Sequence, residues 1–117
     1  MTLTIYHNTR CRKSREALQY LEDNGFSFDI VKYIEQSFDK NTLGEVLKKI
    51  NKKPSEILRK KEVLWKKEYA SKDLTEDQIL QLLVEQPKLI ERPIIISSDK
   101  GVLARPIENL MEFLNKA

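Results

Sequence analysis

A chain of 117 residues with 40% hydrophobic and 33% charged residues can build one folded core but hardly two, and its balance excludes a disordered chain. A formal net charge of +3 is too mild to argue for nucleic acid. With no apolar run of membrane-spanning length and no signal-like N-terminus, the expectation is a cytoplasmic protein with neither a nucleic-acid nor a membrane partner.

The elements follow in chain order. "TLTIYH" (2–7) has β-branched and aromatic residues without a breaker, and predicts a strand. Residues 14–24 predict a helix with an apolar stripe of Ala17, Leu18 and Leu21, stopped by Gly25. "FSFDIVKYI" (26–34) predicts a second strand. From Asp39, the spacing of Leu43, Val46, Leu47 and Ile50 predicts a helix. "KKPSEILRKKEVLWKK" predicts a further helix entered at Pro54. "LTEDQILQLLVEQP" predicts a helix with Thr75 and Gln78 as a capping box, ended by Pro87. "PIIISSDKGVLARP" predicts a hairpin turning at 99–101. Pro106 then opens a last helix, whose apolar face is Ile107, Leu110, Met111 and Leu114.

Strand, helix, strand, several helices, hairpin, helix is the order of an α/β domain. The strand–helix–strand start favours a parallel crossover, and the hairpin adds antiparallel strands. The expected fold is a single domain over 1–117 with a mixed four-stranded sheet. Its helical segment at about 39–86 is an inserted lobe, because no strand interrupts it.

The chain's one cysteine, Cys11, stands among Arg10, Arg12, Lys13 and Arg15. It falls in the loop between the first strand and the first helix, so it is either a small buried hydrophobe or, with helix N–H groups and cations both favouring its thiolate, a nucleophile; the charge around it favours the second. One cysteine closes no internal disulfide, so no oxidising compartment is required. His7, the only histidine, either orients or deprotonates that thiol or is simply the polar end of a strand. Arg92 and Arg105 each precede a proline and bracket the hairpin, so closing it brings them to one end. There they are either two solvated charges or a pair of guanidinium groups suited to a tetrahedral oxyanion through forked hydrogen bonds. Arg59, in a lysine-rich stretch, reads by composition as a solvated residue.

"IYHN" (5–8), then Cys11, then "KSRE" (13–16) resembles the glutaredoxin-coupled arsenate reductase family. "LRKKE" (58–62), "LIERPIII" (89–96) and "GVLARP" (101–106) follow in register, so the resemblance spans nearly the whole chain. It implies a thioredoxin-like fold and a cis-proline at Pro93 beside the active-site loop. It further implies Cys11 as the catalytic nucleophile, with Ser14, Arg15, Arg59, Arg92 and Arg105 around the oxyanion and His7, Asn8 and Pro93 in support. The implied reaction is reduction of arsenate to arsenite through a Cys11–arsenic adduct. Glutathione is the implied co-substrate and glutaredoxin the partner, with no bound cofactor and no metal. Thr9 stands where the family usually has proline, and Arg12 and Lys13 where it has small residues. That "RCRKSRE" loop is similar to one branch of the family. Two alternatives remain at this level. One is a thiol oxidoreductase acting on glutathione mixed disulfides. The other is a non-catalytic Spx-type regulator that binds RNA polymerase, although residue 14 is serine rather than the second cysteine of a redox switch.

Overall fold

The computed structural model describes residues 2–115, which form two compact units. The first comprises residues up to Gln36 together with those from Arg92 onward, and the second runs from Ser37 to Glu91.

In the first unit, β1 (Thr2–Tyr6) leads through a loop to α1 (Arg12–Asp23) and then β2 (Ser27–Val31). β1 and β2 pair in parallel, from Thr2 opposite Ser27 to Tyr6 opposite Val31. β3 (Ile94–Ile96) lies antiparallel to β1, and β4 (Gly101–Leu103) antiparallel to β3, which gives the order β2-β1-β3-β4. α5 (Ile107–Asn115) closes the unit; the labels α2 to α4 belong to the second unit. Alternation along β1 sends Leu3 and Ile5 to one face. There they join Ile95 of β3, Ala17 and Leu21 of α1, Ala104 just after β4 and Leu110 of α5 in one buried cluster. α1 begins two residues earlier than the apolar spacing suggests, because Cys11 takes extended geometry (φ −94°, ψ 121°) and caps it directly. At its other end Gly25 adopts φ +72°. This lets Gly25 N–H donate to Glu22 O and Phe26 N–H to Leu21 O, at 3.2 and 3.1 Å. Only a residue without Cβ takes that left-handed position without strain.

In the second unit, α2 (Lys40–Ile50) buries Leu43, Val46, Leu47 and Ile50, and its N-terminal Thr42 N–H donates to Asp39 Oδ1 at 2.7 Å. α4 (Glu76–Glu85) opens on the capping box: Gln78 N–H donates to Thr75 Oγ1 and Thr75 N–H to Gln78 Oε1. The helix expected from Pro54 is corrected here. Only a 3₁₀ turn forms at Pro54–Ile57, and a separate short helix, α3, covers Val63–Glu68. The break falls where Leu58 pairs with Ile90 as an isolated antiparallel bridge and Arg59 N–H donates to Leu89 O at 2.7 Å. Those bonds take backbone groups that a continuous helix would need, so tertiary pairing overrides helical periodicity. The hairpin turn is also displaced: Gly101 lies in β4, and Ser97 N–H donates to Lys100 O at 2.7 Å across the turn.

Candidate active site

The loop between β1 and α1 is folded by its own polar groups. Cys11 N–H donates to Asn8 O at 3.0 Å, Arg10 N–H to Asn8 Oδ1 at 3.0 Å, and Arg15 N–H to Cys11 O at 3.0 Å. Asn8 thus holds two main-chain donors of one turn, the usual work of asparagine in such a position. From the other side, the Arg15 guanidinium donates to Thr9 O at 3.0 Å. Arg15 is exposed and grips the loop backbone, while Arg10, Arg12 and Lys13 are exposed around it.

Under the loop lies a polar pair. Ser14 is completely buried and His7 is 4% exposed. His7 Nδ1 and Ser14 Oγ share a hydrogen bond of 2.6 Å, and Asn8 N–H donates to the same hydroxyl at 3.1 Å. His7 N–H donates to Val31 O at 2.8 Å, which anchors the residue to β2. Burial holds the His7 pKa below its ordinary value, and the charges of Lys32 and Arg15 push in the same direction. A neutral imidazole follows. The Ser14 hydroxyl is therefore engaged below the loop, and it is the Ser14 backbone N–H that reaches the thiol.

Cys11 is 8% exposed. Burial pushes its thiol up, but four other influences act downward: the Arg92 side-chain hydrogen bond, the Ser14 N–H, the Arg92 charge and the Lys13 N–H. The net direction is down, so the thiolate is favoured. The sulfur makes no capping bond of ordinary geometry; the two N–H groups face it and stabilise negative charge across a longer gap. Arg105 Nη1 stands 3.9 Å from the sulfur as donor and also donates to Arg92 O at 3.3 Å. The bracketing of the hairpin thus does bring Arg92 and Arg105 together at the thiol.

Both arginines precede cis peptide bonds, Arg92–Pro93 and Arg105–Pro106. Pro93 is buried, and its carbonyl accepts from Ala104 N–H at 2.9 Å, which ties together the chain on either side of the hairpin. The cis bond at Pro106 was not anticipated; the only available signal was the repeat of the Arg-Pro pair. Arg59 belongs to the second unit, where its guanidinium lies 3.4 Å from Glu62 and 3.5 Å from Glu91. No cluster of His, Cys, Asp and Glu able to hold a metal ion occurs among the described residues. No described helix is long and apolar enough to cross a membrane.

A recessed cysteine at a helix N-terminus, its thiol shifted toward the thiolate, two arginines converging on it and a proline-flanked hairpin suit oxyanion chemistry at sulfur. Comparison with known proteins agrees with that geometry. The ArsC family profile matches residues 6–113. The chain belongs to the ArsC family. This ArsC-family chain is 40% identical over 112 residues to the uncharacterised protein YfgD of Escherichia coli K12, covering 94% of each. To an arsenate reductase of Haemophilus influenzae it is 35% identical over 116 residues, covering 97% of this chain and all of that one. The solved arsenate reductase of Vibrio cholerae superposes with a TM-score of 0.88 at 34% identity, over 96% of this chain and 97% of that one. The mixed sheet with its helices is accordingly the thioredoxin-like fold of ArsC proteins.

Proposed function

We propose that this ArsC-family chain is an oxidoreductase that reduces arsenate to arsenite with glutathione as electron donor and glutaredoxin as partner. The observation that carries this reading is the Cys11 sulfur with a guanidinium of Arg105 3.9 Å away and the Arg92 side chain hydrogen-bonded to it. Supporting it are the relatives of Haemophilus influenzae and Vibrio cholerae named as arsenate reductases.

In the first step the Cys11 thiolate attacks arsenic(V). A sulfur–arsenic bond forms, and one arsenate oxygen leaves, protonated, as water. Arg92 and Arg105 hold the remaining oxygens and the added negative charge, a preorganised electrostatic role. The thiolate of glutathione then attacks the Cys11 sulfur. A disulfide forms, the sulfur–arsenic bond breaks, and its electron pair stays on arsenic, which leaves as arsenite. Glutaredoxin attacks the glutathione sulfur of the mixed disulfide and releases Cys11 as thiolate. In total two thiols become a disulfide while arsenic gains two electrons and loses one oxygen.

A coupled assay with arsenate, glutathione, glutaredoxin, glutathione reductase and NADPH tests the reading. Arsenate-dependent NADPH consumption is expected, and Cys11→Ser should abolish it. A protein that turns over a glutathione mixed disulfide but never arsenate would instead be a thiol oxidoreductase, and the arsenate reading would fall.

A further inference from the structure

We propose that a groove on the second unit is a docking site for an acidic amphipathic helix of a partner protein. The groove has a volume of about 420 Å³. Its floor is Gly44 and Leu47 of α2, Pro54 of the 3₁₀ turn and Leu80 of α4, and the exposed Lys48, Lys52 and Lys53 stand on its rim. It uses no residue of the Cys11 chemistry, so the proposal stands or falls separately from the proposed function.

Gly44 is the first observation. It sits in the middle of α2, where glycine weakens a helix by about 0.5–1 kcal/mol relative to alanine. Its backbone is not in the left-handed region, which among the described glycines only Gly25 occupies. A Cβ built on Gly44 meets nothing within 4 Å. Neither the conformation nor any neighbour in this chain therefore requires glycine there. What the missing side chain does is leave the α2 backbone open at the groove floor, where another helix can approach closely.

Charge is the second. Lys48, Lys52 and Lys53 are exposed. Lys48 and Lys52 are held by no ion pair among the described residues, while the charge of Lys53 also acts on Glu76 beside the groove. The one acid lining the groove, Glu56, accepts from Lys53 N–H at 2.9 Å as part of the turn that starts at Pro54. An apolar floor with a basic rim is complementary to a helix whose apolar stripe is flanked by Glu or Asp, the helix-in-groove mode of recognition.

The test is fluorescence anisotropy at low ionic strength with three labelled probes: an amphipathic helical peptide with Leu at i, i+3, i+4 and i+7 flanked by Glu, its Lys-flanked counterpart, and a scrambled Glu peptide. The Glu peptide should bind saturably and weaken as salt rises. Gly44→Leu and the double variant Lys48→Glu, Lys52→Glu should each weaken it by about tenfold or more. Gly44→Leu should keep the arsenate reduction of the wild type and keep or slightly raise its melting temperature, since its side chain enters open space and leucine is the better helix former. Absence of saturable binding, equal binding of the Lys peptide, or binding indifferent to both variants would overturn the proposal. Self-association of the free protein that Gly44→Leu abolishes would overturn it in favour of a second copy as occupant.

Discussion

At the scale of single residues, the Cys11 thiol is contested by two effects of opposite sign. Burial favours the neutral thiol, and the Arg92 hydrogen bond with the N–H groups of α1 favours the thiolate. The second set wins, so the pH profile of iodoacetamide alkylation should have its midpoint below the free-cysteine value of about 8.5. Arg92→Lys should move that midpoint up, because lysine keeps a charge but loses the fork that reaches the sulfur. A midpoint at or above the free value in the wild type would refute the thiolate assignment. Arg105 is judged by rate. Removing one charge-assisted donor from a buried oxyanion costs about 2–4 kcal/mol of transition-state stabilisation. Arg105→Ala should therefore cut kcat/KM for arsenate by at least tenfold or so, measured beside an unchanged melting temperature. Turnover of a glutathione mixed disulfide, which presents no tetrahedral oxyanion, should suffer much less.

At the scale of elements, the β1–loop–α1 turn is locked from beneath by His7 and Ser14. Ser14→Ala leaves the Asn8 N–H and His7 Nδ1 buried without that hydroxyl, which should cost about 1–3 kcal/mol by denaturant unfolding. His7 also fixes a pH dependence. Its folded pKa lies below the unfolded value of about 6.5, so as pH falls past that value the unfolded chain binds a proton that the folded chain refuses. The stability linked to His7 is thus complete above about pH 6.5 and is lost as pH falls from there through the folded pKa. Melting temperatures taken between neutral pH and pH 5 should decline in the wild type, with a shallower slope in His7→Asn, whose side chain does not titrate. Equal slopes would show that His7 is not buried in its neutral form. The β-branched and aromatic run of β1, the stripe of α2 and the Thr75–Gln78 box were legible in the sequence because each rests on neighbours within a turn or two. The break at Leu58 was not, because Ile90, which pairs with it, is remote in sequence. The His7–Ser14 bond was hidden for a related reason. It forms only after the loop between them has folded, so the sequence left His7 as either a partner of the thiol or the polar end of a strand, and only the family resemblance gave Ser14 a role at the oxyanion.

At the scale of the whole molecule, the convergence of Arg92 and Arg105 on Cys11 was readable from Cys11 among its cations and from two Arg-Pro pairs around one hairpin. These are composition and topology signals that survive without side-chain detail. Arg59 was not readable that way, and its guanidinium meets Glu62 and Glu91 at 3.4 and 3.5 Å. These partly exposed pairs contribute at most about 1 kcal/mol. Arg59→Ala should therefore change stability little. A large loss of arsenate turnover in that variant would support the role its family resemblance implies, whereas full activity would leave Arg59 a structural partner of its two glutamates. The nucleophilic role of Cys11 is tested most directly by intact-protein mass spectrometry after a single turnover without glutaredoxin. With both arsenate and glutathione present, the protein should gain one glutathione on Cys11 as one equivalent of arsenite appears. Neither should occur when arsenate is left out or in Cys11→Ser. Arsenite released without glutathionylated Cys11, or Cys11 glutathionylated equally without arsenate, would contradict attack of this thiolate on arsenic.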